Sequence, residues 1–148
     1  MDRKDVAIIG LSAALIIAIV IAVILTSSVT VPGKGKVKSV NVGVFAHPNG
    51  TAPVTQIDWG TIPVGKYSQT YVYLMNTGNS PINLTLTTGN WTPTTCPSYL
   101  TLTWNLTSAE TLNVPAGYIQ PCLLTLTVAS NTTGISDFTM DITFTGTG

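Results

Sequence analysis

The sequence predicts an all-β domain, a sandwich of about seven strands, carried behind one N-terminal transmembrane helix. Three observations predict it. Residues 6–25 (VAIIGLSAALIIAIVIAVIL) are an unbroken apolar run without a charge or a proline. Beyond position 39, apolar residues recur at every second position in short stretches, the spacing that turns one face of a strand inward. Clusters of proline, glycine and asparagine separate those stretches, as tight turns require.

The apolar run, at about 1.5 Å per residue, makes a helix of roughly 30 Å, the thickness of a bilayer's hydrocarbon core. A cleaved signal peptide is the competing reading. Its apolar region runs about 7–15 residues, and Thr26, Ser27 and Ser28 form a poor cleavage site. Residues 1–5 then read as a cytoplasmic tip, 6–26 as a signal anchor, 27–38 (SSVTVPGKGKVK) as a polar linker and 39–148 as an external domain. That length suits one compact core and is too short for two. The last strand ends close to Gly148, so a single span is expected.

Lysine and arginine counts do not orient the helix. Arg3 and Lys4 lie on one side, and Lys34, Lys36 and Lys38 just beyond the other. Five Asn-x-Ser/Thr sequons, at Asn49, Asn83, Asn90, Asn105 and Asn131, all lie downstream of the helix. Asn83 and Asn105 fall at outward positions of predicted strands, where a glycan fits. This favours a cytoplasmic amino terminus and an extracellular domain. Cys96 and Cys122 favour the same side, because an oxidising compartment pairs such cysteines. Closing their loop would stabilise the fold by about 3 kcal/mol in the chain-entropy model.

The strands follow in order. Val40, Val42 and Val44 share a face of the first (residues 36–45), and Ile57 and Trp59 mark a short second. Tyr71, Tyr73 and Met75 alternate with Val72 and Leu74, and Ile82, Leu84 and Leu86 with Asn83, Thr85 and Thr87. Leu100, Leu102 and Trp104 define the fifth strand, Cys122, Leu124, Leu126 and Val128 the sixth, and Phe138, Met140, Ile142 and Phe144 the seventh. One apolar face per strand requires two sheets packed together, and seven strands is the number of an immunoglobulin-like sandwich. Pro63-Val64-Gly65 and Pro115-Ala116-Gly117 suit type I turns with Pro second and Gly fourth.

The run Ile57-Asp58-Trp59-Gly60-Thr61-Ile62-Pro63-Val64-Gly65, the Tyr71 to Met75 strand and Asn76-Thr77-Gly78-Asn79-Ser80-Pro81 resemble the front half of immunoglobulin-like domains of the ASH and major sperm protein group. The external domain, with Asn90-Trp91-Thr92-Pro93 and the closing strand, is also similar to small membrane-anchored surface proteins of archaea. The resemblance implies a structural or interaction module and carries over no catalytic residue. The architecture is similar to archaeal pilins and flagellins as well, whose hydrophobic helices bundle beneath Thr/Asn-rich sandwiches. The chain departs from a pilin precursor in that Arg3-Lys4-Asp5 leads directly into Val6 and Gly10 lies inside the apolar run. Donor-strand filaments are a further comparison, since residues 36–45 form a strand next to a linker; that arrangement would require the helix to be removed.

Composition narrows the function classes. Every basic residue lies at or before Lys66, so the domain lacks the clustered Lys and Arg that phosphates demand, and nucleic acid is not expected as a partner. Asp58, Glu110, Asp137 and Asp141 are the only carboxylates beyond residue 5, and His47 is the only histidine. That inventory supplies no catalytic residue, no metal site and no cofactor site. Trp91, in a loop, is the best candidate for sugar stacking, whereas Trp59 and Trp104 read as core. Gly10, Ala14, Ala18 and Ala22 form a small-residue stripe through which helices approach closely. The expected partners are the membrane, a second copy or other surface proteins, and possible glycans. The expected role is non-enzymatic display of the sandwich at the cell surface, with a filament subunit or a carbohydrate- or protein-binding accessory to a membrane complex as alternatives.

Overall fold

The computed structural model describes residues 29–148, and within them the chain is an all-β sandwich of two sheets. Its strands are β1 (Thr30–Val40), β2 (Val42–Phe45), β3 (Gln56–Pro63), β4 (Tyr67–Asn76), β5 (Ile82–Thr92), β6 (Leu100–Trp104), β7 (Asn113–Val114), β8 (Ile119–Val128) and β9 (Phe138–Thr147). A 3-10 turn at Cys96–Ser98 and one helical turn, α1 (Ala109–Leu112), lie in the connections flanking β6. One sheet has the order β3-β1-β9-β5-β7 and the other β2-β4-β8-β6. Neighbouring strands are antiparallel except for β1 and β9, the first and last, which run parallel from Gly33↔Phe138 to Val40↔Thr145.

The alternation places the core as the sequence predicts. Ile82, Leu84, Phe138, Met140, Ile142 and Phe144 from the first sheet meet Val72, Leu74, Leu100, Cys122, Leu124, Leu126 and Val128 from the second, all buried. Trp59 is buried; Trp91 and Trp104 are half-buried, with rings 6.2 Å from Phe138 and 6.3 Å from Phe144.

Nine strands among the described residues replace the expected count of about seven. The largest change concerns residues 27–38, read as a linker: from Thr30 onward they form β1, inside the sheet between β3 and β9. Val31, Gly33, Gly35 and Val37 point inward, and Pro32, Lys34, Lys36 and Lys38 outward. The glycines that suggested flexibility are sites of close approach. A Cβ on Gly33 would lie 2.0 Å from the Phe138 ring, and one on Gly35 would lie 2.7 Å from Ile142 Cδ1. The expected strand over 36–45 is broken at Asn41, whose φ of 57° carries the chain from one sheet to the other. Val40, placed inward by the simple alternation, is therefore 50% exposed.

The two Pro-x-Gly turns form one residue out of the expected register. Lys66 N donates to Pro63 O and Tyr118 N to Pro115 O, so each proline is first in its turn. Gly65 and Gly117 are third, with φ of 77° and 72°, the position where type II turns need glycine. Among the described residues no helix is long and apolar enough to cross a membrane. The predicted anchor at 6–26 and its stripe of Gly10, Ala14, Ala18 and Ala22 lie outside the described residues.

Candidate functional site

The two outer faces of the sandwich differ in chemistry, and the difference follows from which strands carry charge. Every charged residue within a strand belongs to β1, β3 or β9: Lys34, Lys36, Lys38, Asp58 and Asp141. All five lie on the outer face of the first sheet, among Thr139, Thr143, Thr145, Thr85 and Thr87. There Lys38 Nζ donates to Asp141 Oδ2, as does Asn90 Nδ2 at 2.6 Å. The hydrogen bonds from Lys38 and Asn90, with the charges of Lys38 and Lys36, hold the Asp141 carboxyl below its ordinary range. A shallow groove of about 430 Å³ runs beside them, bordered by Lys34, Lys36, Gln56, Asn90 and Asp141.

The second sheet presents an uncharged face: β2, β4, β6 and β8 contain no Lys, Arg, Asp, Glu or His. Tyr67, Gln69, Tyr71, Tyr73 and Met75 project from β4, opposite the inward Val72 and Leu74. Across the central strand pair, Tyr71 stands against Leu123 and Tyr73 against Pro121, with Phe45 of β2 beyond. Tyr67 and Tyr71 are 63% and 58% exposed, among the most exposed large hydrophobic side chains of the domain. The sequence shows the alternation but not which face is inward. Reading Val72 and Leu74 as core would have exposed the tyrosine row.

Outside these faces, each predicted site residue has a local role. All five sequon asparagines are exposed. Asn49 Oδ1 accepts from Thr51 Oγ1 at 2.6 Å, Asn83 Oδ1 accepts from Asn113 Nδ2, and Asn105 Oδ1 accepts from Leu123 N at 2.8 Å. Asn90 lies at a β5 irregularity with φ of 49°, and Asn131 in the loop after β8. His47 is exposed in a turn, and Asp58 accepts from Gly60 N. Among the described residues no three or more His, Cys, Asp or Glu are grouped so that they could hold a metal ion.

The expected Cys96–Cys122 disulfide is not formed: both cysteines are buried free thiols. Register explains the separation. Leu100 pairs with Val128, six residues along β8 from Cys122, about 20 Å at strand spacing. The 3-10 turn holding Cys96 lies just before Leu100, and at about 2 Å per residue it cannot return over that length to the roughly 7 Å limit for bridging Cα atoms. Burial raises both thiol pKa values, Cys122 from 9.0 to about 12; Asp137 adds to the rise at Cys96. An unfolded thiol ionises near 9 while folded Cys122 stays protonated, so this contribution is complete below pH 9 and is lost as pH rises through about 12. Native protein should therefore resist alkylation at both cysteines and react at both after denaturation. Its urea midpoint should fall between pH 8 and pH 10.5, with a smaller fall in Cys122→Val.

Compared with known proteins, the chain matches no protein-family model and no curated protein.

Proposed function

We propose that the chain is a non-enzymatic cell-surface protein in which a single N-terminal helix tethers an extracellular immunoglobulin-like sandwich, and that it acts by binding and assembling. The observation carrying this reading is the junction. The apolar run ends at Leu25 and β1 begins at Thr30, so the intervening chain spans at most about 17 Å. The sandwich is thereby held against the bilayer that the run would cross. The parallel pairing of first and last strands and the antiparallel pairing elsewhere support the immunoglobulin-like description. Similarity to archaeal surface proteins is part of the same reading. The protein should sediment with membranes, resist alkaline extraction and dissolve in detergent; release by alkaline washing would reject the tether.

A filament subunit that exchanges strands is favoured by one specific observation. β1 is the first described strand, lies between β3 and β9, and joins β2 through the single left-handed residue Asn41. Straightening that residue would let β1 fill the same slot in a neighbour. Such a subunit, with its N-terminal helix removed, would be recovered in sheared extracellular fibres, with β1 and β9 crosslinking between chains instead of within one.

A further inference from the structure

We infer that the uncharged tyrosine face of the second sheet is a self-association surface, and that its occupant is the same face of a second copy tethered in the same membrane. The inference deepens the proposed function and rests on its tether.

The face is divided. At the end where β2 and β4 pair, the loop after β2 folds over it, and a Cβ on Gly50 would lie 3.4 Å from Ile119 Cδ1 and 3.5 Å from Met75 Sδ. Toward the other end Tyr67, Gln69, Tyr71 and Thr127 remain exposed, with Leu123 and Tyr73 half-buried beside them. That uncovered end is where the chain enters from its N-terminal segment: Val64 N donates to Val29 O, Gly65 N donates to Val128 O, and Tyr67 pairs with Thr127. The exposed aromatic surface therefore lies closest to the tether.

A second copy fits this surface for two reasons. The first is charge. An isologous contact sets each residue against the same patch of its partner, and a face without charged side chains meets no repulsion from itself. Pairing through the first sheet would instead have to desolvate Lys34, Lys36, Lys38, Asp58 and Asp141.

The second reason is area. The strands of this sheet, of 4, 10, 10 and 5 residues, cover about 470 Å² at strand spacing, less than the roughly 800 Å² per partner of a stable soluble complex. Such a face pairs weakly in free solution. The short chain between Leu25 and Thr30 would keep the face of every copy in one thin layer at the membrane surface, and confinement to that layer favours pairing too weak to persist in free solution. Tyrosines suit the contact because they offer large, rigid area with few rotatable bonds.

The test uses full-length protein in its native membrane, with a cysteine placed at Gln69, between two tyrosines, or at Thr85, on the first sheet. Both positions are exposed, and the native thiols are buried. Under mild oxidation Gln69→Cys should give at least fivefold more disulfide-linked dimer than Thr85→Cys. Adding Tyr71→Lys to Gln69→Cys should lower the dimer yield at least fivefold by placing like charges at the pairing centre. Equal yields at the two positions, or a yield unaffected by Tyr71→Lys, would overturn the proposal. Conversion of the Gln69→Cys variant to a mixed adduct with another protein, or protection of its introduced thiol from maleimide without a dimer, would overturn it in favour of another occupant. Alkaline extraction of the same membranes separates the two readings. Dimer formation by protein released in the wash rejects the tether and with it pairing that depends on the membrane; membrane retention without dimer rejects the pairing and retains the tether.

Discussion

Gly33→Ala should destabilise the domain by about 2 kcal/mol, the scale of overpacking a well-filled core. The added methyl would fall within 2.0 Å of the Phe138 ring, and that ring is buried, with Trp91 beside it. Backbone and ring must move together to relieve the contact. The sign of the effect is as informative as its size. In a flexible linker the same substitution would be neutral or stabilising by up to about 1 kcal/mol, because alanine restricts the unfolded chain. Gly89→Ala is the matched control: a Cβ there meets nothing within 4 Å. Urea unfolding followed by tryptophan fluorescence in detergent should give a lower midpoint for Gly33→Ala and a near-normal one for Gly89→Ala. A raised midpoint for Gly33→Ala would remove β1 from the sheet.

Asn76→Ala should cost about 3 kcal/mol, since it leaves several groups without their partner and each unsatisfied buried group costs about 1–3 kcal/mol. Asn76 is 1% exposed and is the only buried polar residue found among the described residues. Its Nδ2 donates to Ser80 O at 2.8 Å and Val114 O at 2.9 Å, while Oδ1 accepts from Gly78 N at 2.9 Å. One side chain thus fastens the β4–β5 turn to β7, an edge strand of only two residues. The same unfolding measurement reads the loss, and faster amide exchange at Gly78 would locate it. An unchanged midpoint would show that water replaces all three bonds.

These substitutions mark where the sequence was readable and where it was not. Period-two alternation identified the inward faces of β5, β8 and β9, because each strand keeps one buried side throughout its core-forming stretch. β1 was hidden because its inward positions include Gly33 and Gly35. Phe138 and Ile142, more than a hundred residues away in sequence, fill the space those glycines leave, and local composition cannot register such a contact. Asn76 was read only as a turn residue, since its buried role depends on Val114 across the fold. The tyrosine face was visible as alternation but unassigned until Val72 and Leu74 were located in the core. The cysteines illustrate the opposite error. Their spacing allowed a loop of ordinary length, and only strand register separated them.

In the proposed function the sandwich stands outside the membrane on a single N-terminal tether. Labelling intact cells with a membrane-impermeant maleimide tests it most directly, using single added cysteines at Thr85 and at Asp2. With that topology Thr85→Cys labels in intact cells, while Asp2→Cys labels only after the membrane is opened. Labelling of Asp2→Cys in intact cells with Thr85→Cys protected would contradict it and reverse the topology.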